Sequence, residues 1–244
     1  MQYAGLSKMT TVNNSANHPA GLKPLSRPDS LFPLIRQISF RVSPVLARCG
    51  LSANQVTWIG LAAGIVSALA FAGGTHSWGM IGALLWMLCT LMDYCDGEVA
   101  RITGKSSHYG ALLDDIVDWI VHAAFFTGLG TGAAISTGSS MWLWLGLIAA
   151  AGSTLNTWMC WLRMWLRVRY GQESPRSPGK TSIPSGWKEN YLYVFRGLFR
   201  ADFWLLVLLL ELFHLTWLLL PVFAVGTHVF WITGFIKDAD KFVP

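Results

Sequence analysis

The sequence predicts an all-α polytopic membrane protein, with six transmembrane helices behind an N-terminal amphipathic helix at the membrane interface. Three observations lead there. Of 244 residues, 53% are hydrophobic and only 13% charged, with a mean hydropathy of +0.44; an ordinary soluble domain carries about 25% charged residues. Apolar runs of the ~20 residues that a bilayer core requires recur along the chain. Lysines and arginines avoid every second connection between those runs, the asymmetry expected of cytoplasmic loops.

Residues 1–30 are polar, with Asn13, Asn14, Ser15 and Asn17 close together and Pro24 and Pro28 following, which is the composition of a disordered tail. Over 31–50 the pattern changes to a juxtamembrane helix. Phe32, Leu34, Ile35, Ile38, Phe40 and Val42 are interleaved with Arg36, Gln37 and Arg41, so the arginines would face anionic headgroups. A helix simply packed on the rest of the domain is the competing reading.

The membrane domain is expected over 51–238. Its first span covers 56–74, introduced by Ser52 as N-cap, the second 78–93, the third about 110–135 and the fourth 141–166. The apolar run 201–236 is too long for one span and divides near 214–216. The fifth span then extends back toward Tyr191, the sixth ends at Lys237, and 239–244 is a short tail.

The 18 lysines and arginines fit this order. Lys8, Lys23, Arg27, Arg36, Arg41 and Arg48 precede the first span, and Arg101 and Lys105 separate the second from the third. A further group runs from Arg163 to Arg200, and Lys237 and Lys241 come last. The connections 73–77, 136–140 and 214–216 have none. Both termini should therefore be cytoplasmic in a multi-pass protein of the cell or inner membrane. The net charge of +5 forms no exposed basic stripe, so membrane phosphate rather than nucleic acid is the expected partner. Cys49, Cys89, Cys95 and Cys160 lack metal-ligand or disulfide-framework spacing, and the N-terminus has no compact signal-peptide run.

The chemistry concentrates between spans two and three, where Asp93, Asp96, Glu98, Asp114, Asp115 and Asp118 gather. Carboxylates at a membrane are costly and mark function by default. Asp93 and Asp96 are three apart and Asp114 and Asp118 four apart, so each pair shares a helix face. Two such helices side by side would bring four mutually repelling carboxylates together. Hard divalent cations with oxygen ligands resolve that conflict, and two ions suit phosphoryl transfer. Magnesium is the first choice and manganese the second. Between the pairs, Gly97 and Ala100 allow close approach, and Arg101 offers a fork of donors to phosphate. Asp115 points about 100° away from Asp114 on a helix, a position for supporting contacts. The segment 102–109 is polar and turns the chain into the third span.

The string DYCDGEVARITGKSSHYGALLDDIVD resembles the signature of the CDP-alcohol phosphatidyltransferase family, D-x2-D-G-x2-A-R-x8-G-x3-D-x3-D, at every fixed position. The lead-in LSANQVT is similar to that family's opening of span one, with Ala53 where proline is common. The resemblance implies a metal-dependent transferase, usually homodimeric. Asp93, Asp96, Asp114 and Asp118 would hold two cations. Gly97, Ala100, Arg101 and Gly110 would accommodate a CDP-linked donor, and Asp118 would be the base for the acceptor hydroxyl as CMP leaves. The donor would be CDP-diacylglycerol or another CDP-alcohol, and the acceptor an alcohol or phospho-alcohol.

Other residues carry two readings each. Asn54 and Thr57 either contact the donor or satisfy backbone groups at a helix start. Arg163, Arg167, Arg196 and Arg200 either bind an acceptor phosphate or snorkel to lipid phosphate. Asp202 suggests a pair with Arg200, Glu211 a pair with His214, and His122 and His228 read as core histidines. The 13 tryptophans suit interface belts. Within the family reading, a CDP-polyol transferase with a soluble acceptor is the alternative. Outside it stands a divalent-cation transporter, which would need acidic residues deep in the bilayer and a path to both faces.

Overall fold

Ser52 starts the membrane domain. Its hydroxyl accepts from Gln55 N at 3.3 Å, while the Gln55 side chain accepts from Ser52 N at 2.9 Å. This reciprocal cap satisfies two donors left over at a helix start. The computed structural model describes Leu25, residues 33–169 and residues 202–242, and these form helices and turns with no strand among them. They comprise α1 (Leu34–Arg48), α2 (Ala53–Ala72), α3 (His76–Thr103), α4 (His108–Thr137), α5 (Met141–Arg169), α6 (Phe203–Leu212) and α7 (Leu219–Phe242), with a 3-10 turn at Thr216–Leu218 leading into α7.

Four segments are long and apolar enough to cross a membrane: α2, α3, α4 and Thr216–Thr233. Six spans were expected. Helix α5 has the length, but Trp144, Asn156 and Arg163 dilute its hydropathy. Helix α6 is apolar but has only 10 residues, about 15 Å, roughly half a bilayer core. The expected extension of the fifth span toward Tyr191 lies outside the described residues, as does the tail 1–30 apart from Leu25.

The second expected span stops too soon at residue 93. Helix α3 runs on unbroken through the acidic signature to Thr103, where Gly104 at φ 68° ends it, a left-handed cap that glycine adopts without steric cost. Ser107 then caps α4, accepting from Gly110 N at 3.0 Å. The turn between the helices is therefore 104–107, shorter than 102–109. Both pairs of signature carboxylates are thereby placed on regular helix.

Helix α2 packs against both α3 and α4, α4 against α5, and α5 against α7, while α1 and α6 lie on α3. Close approach of α4 depends on small residues. A Cβ at Gly128 or Gly132 would run into the carbonyl oxygen of Ala68 or Phe71 on α2. On its other side Gly130 meets Gly146 of α5. Small residues admit such backbone contact where lipid supplies no hydrophobic drive. Trp86, Phe125, Phe126 and Phe203 fill the centre, with Phe125 at the hub of edge-on and tilted ring contacts.

Helix α1 forms within the stretch where the amphipathic pattern placed it, starting three residues later and ending two residues earlier than 31–50. Its buried residues are Ile35, Ser39, Ser43 and Ala47, one stripe facing α3, while Arg36, Ile38, Arg41 and Val45 stay exposed. It is therefore packed on the domain along a largely polar seam. Ser39 and Ser43 donate to Glu98 Oε1 and Oε2 at 3.1 and 2.7 Å. Asp202 was suggested by the sequence as a partner of Arg200, which lies outside the described residues. Asp202 is fully buried, and its Oδ2 and Oδ1 accept from Leu34 N and Ile35 N at 2.8 and 3.0 Å. A carboxylate there satisfies the free N–H groups of the α1 N-terminus and meets the positive end of its dipole.

Candidate active site

Three helices place the signature. Asp93 and Asp96 lie one turn apart on α3, Asp114 and Asp118 one turn apart on α4, and Thr57 and Gly60 present the facing side of α2. All six line one cavity of about 300 Å³ with Trp86, Cys89, His122 and Phe203. The two acidic helices thus face one another across the cavity with α2 packed against both, rather than packing directly side by side as expected. Gly60 and Gly64 let α2 close on α3 and α4: a Cβ at Gly64 would strike Val121 and the Cys89 sulfur.

The four carboxylates sit in different surroundings. Asp96 is buried, and its Oδ2 accepts from Thr57 Oγ1 at 2.6 Å. Thr57 also lies 3.1 Å from Ala53 O, so its single proton has two acceptors and the shorter contact is with Asp96. This is a third role for Thr57, aiming a carboxylate, beyond the two read from sequence. Asp114 is half-buried, and Asp93 and Asp118 are exposed toward the cavity. Asp118 Oδ1 lies 3.1 Å from His122 Nδ1, which also approaches Asp118 O at 2.8 Å. His122 is therefore not a core histidine. Its ring stands edge-on to Trp86, 5.3 Å between centroids, and lines the cavity. The i,i+4 spacing to Asp118 was the available signal, hidden by the apolar residues around it. His228 does pack within the bundle, with Nε2 3.1 Å from Ile148 O.

The remaining candidates lie outside the cavity lining. The Arg101 guanidinium rests over Gly97, whose Cβ would sit 3.6 Å from it, and Arg101 is exposed. Asn54 Oδ1 stands over Gly110, 3.4 Å from where a Cβ would be. Ala100 is half-buried on the same turn as Gly97. Arg163 and Arg167 fall on α5 but their side chains are not described, and Arg196 and Arg200 lie outside the described residues. All four cysteines are free, with Cys89 and Cys95 buried.

A family model for CDP-alcohol phosphatidyltransferase matches residues 51–236. The phosphatidylinositol phosphate synthase of Mycobacteroides abscessus is 35% identical over 105 residues, 43% of this chain and 46% of that protein. A bifunctional IPC transferase and DIPP synthase of Thermococcus kodakarensis is 31% identical over 122 residues, 50% of this chain and 26% of that one. The archaetidylinositol phosphate synthase of Pyrococcus horikoshii is 27% identical over 103 residues, 42% and 53% of the two chains. The matched regions thus span about half or less of these relatives. Among solved structures, the Mycobacterium tuberculosis phosphatidylinositol phosphate synthase with CDP-DAG bound aligns at TM-score 0.51 and 26% identity, covering 81% of this chain and 92% of that one. Its apo form aligns with the same TM-score at 24% identity, a likeness of fold.

Proposed function

The chain belongs to the CDP-alcohol phosphatidyltransferase family, and from that premise we propose that it transfers a substituted phosphate from a CDP-linked donor to an alcohol, releasing CMP. The convergence of Asp93, Asp96, Asp114 and Asp118 on one cavity carries this reading. These four would hold two divalent cations, magnesium first and manganese second. The donor set suits them: the carboxylates offer only oxygen, and among the described residues no lysine or arginine lines the cavity to neutralise them. Bound there, the cations would offset charge on the diphosphate and on the transferring phosphoryl group.

The chain's own residues supply the rest. Thr57 fixes the Asp96 carboxylate, leaving its other oxygen for the cavity. Arg101 grips the diphosphate with its planar fork, while Gly97, Ala100, Gly110 and Asn54 form the nucleotide side. Asp118 takes the proton of the acceptor hydroxyl, held in its rotamer by His122. The hydroxyl oxygen attacks the phosphorus distal to cytidine, the bond from that phosphorus to the CMP oxygen breaks, and CMP departs.

Likeness to phosphatidylinositol phosphate synthases, one of them solved with CDP-DAG, favours CDP-diacylglycerol as donor and a phosphorylated inositol as acceptor. Arg163, Arg167, Arg196 and Arg200 are the basic residues placed to receive an acceptor phosphate. The working form would be a homodimer, as the family resemblance implies, with six spans per chain and the cytoplasmic cavity that the lysine and arginine distribution favours. The test is CMP release by purified protein given CDP-diacylglycerol, CDP-inositol, CDP-choline or CDP-ethanolamine, each against inositol, inositol phosphate and glycerol phosphate. CMP should form from CDP-diacylglycerol with inositol phosphate, stop on chelation and resume with Mg2+. Asp118→Asn should release none. Metal-dependent release from that variant would remove Asp118 as the base, and cation flux in proteoliposomes without CMP release would favour a transporter.

A further inference from the structure

At the other end of the bundle a second polar cluster has no part in that chemistry. His76 opens α3, and Asp93 lies 17 residues on, so the cluster is about 25 Å from the carboxylates. Glu211, at the end of α6, is 4% exposed. Its Oε2 accepts from Thr216 Oγ1 at 2.6 Å, and its Oε1 lies 3.4 Å from His76 Nδ1. The sequence suggested that Glu211 pairs with His214, but its hydrogen bond goes to Thr216. Gly79 makes room for this carboxylate, because a Cβ there would occupy the place of its oxygens.

His214 completes the group. Its ring stands 3.5 Å from that of His76, tilted by 37°. It is the one described residue other than glycine held at positive φ, 57°, a strained state for a side chain of this size that persists only when its surroundings enforce it. One ligand atom from each of His76, Glu211 and His214 lies within 4.8 Å of the others. His76 Nδ1 is buried without a hydrogen bond. No lysine or arginine occurs in the neighbouring connections 73–77, 136–140 and 214–216, so in those connections only an imidazolium at His76 or His214 could otherwise answer the buried Glu211 charge.

We propose that His76, Glu211 and His214 form a second cation site, remote from the transferase cavity, for a borderline first-row divalent metal, zinc first. Two imidazoles and one carboxylate are a recurrent zinc ligand set that leaves a fourth position for water, and nitrogen donors favour such metals over magnesium. The ion would neutralise Glu211, use the orphaned His76 nitrogen and hold His214 in its strained conformation. It would thereby clamp the start of α3 to the turn that follows α6.

The test uses full-length protein in detergent, saturated with Mg2+, equilibrated with Zn2+ and then gel-filtered for metal analysis. One equivalent of Zn2+ should remain on the wild type and on Asp93→Asn. It should be lost from His76→Gln and from His214→Gly, the latter a change that relieves backbone strain and so spares the fold. Added Zn2+ should raise the melting temperature of the wild type and leave that of His214→Gly unmoved. Co2+ in its place should give the visible absorption of a four-coordinate nitrogen and oxygen site. Equal retention by the wild type and both histidine variants, loss in Asp93→Asn, or no retention by the wild type would each overturn the proposal.

Discussion

Thr57 shows how one hydroxyl can fix a carboxylate of the cavity. Its 2.6 Å bond to Asp96 lies within the seam between α2 and α3, where a buried carboxylate without a donor is costly. Thr57→Val keeps the shape and removes the proton. It should raise the Mg2+ concentration for half-maximal CMP release about tenfold, the equivalent of ~1.4 kcal/mol, and Thr57→Ser should restore it. An effect on donor KM alone, at unchanged metal dependence, would return Thr57 to a nucleotide-binding role. His122 acts through Asp118, so His122→Phe should lower kcat while leaving donor KM within about twofold, a split that a packing role would not produce.

At the scale of elements, α1 is held by acids as well as by apolar burial of Ile35 and Ala47. Asp202 binds its first two amides and Glu98 accepts from its serines. Asp202→Ala should cost about 1–2 kcal/mol, the usual worth of a good cap, and appear in hydrogen exchange as faster exchange at Leu34 and Ile35. Ser39→Ala with Ser43→Ala would leave Glu98 buried without these donors, a loss of ~1–3 kcal/mol per missing bond. Adding Glu98→Gln should recover part of it by removing the charge. The contact between α2 and α4 is less forgiving. The obstacle to a side chain at Gly128 is the Ala68 backbone, which no rotamer change can move. Gly128→Leu should therefore abolish the monodisperse detergent-solubilised protein.

For the whole molecule, the lysine and arginine distribution makes a topological claim that labelling can check. Cys49 is exposed and on that claim belongs to the side carrying the positive charges. A membrane-impermeant thiol reagent on intact cells should leave it unmodified and react after lysis. Gly138→Cys, in the uncharged turn between α4 and α5, should react from outside. The opposite pattern would invert the protein and place the carboxylate cavity on the outer face. The same axis separates the two proposed cation sites, an oxygen-lined cavity at the charged end and a histidine-rich cluster at the other.

What the sequence determined by itself was local and periodic. Composition announced a lipid-embedded helical chain, the Ser52 cap marked a helix start, and the spacing of Asp93, Asp96, Asp114 and Asp118 put each pair on one helix face. Those readings depend on contacts within a few turns, where 3.6 residues per turn converts order into geometry. Relations between helices were decided only by tertiary packing. Thr57 meets Asp96 across 39 residues, and Asp202 reaches α1 across 168. Glu211 leaves its expected neighbour for Thr216 and His76. No period in the chain encodes such pairings, because each depends on which faces the glycine contacts allow to meet. His122 lies between the two cases: its spacing from Asp118 was legible, but its value depended on a cavity that exists only once α2, α3 and α4 have closed together.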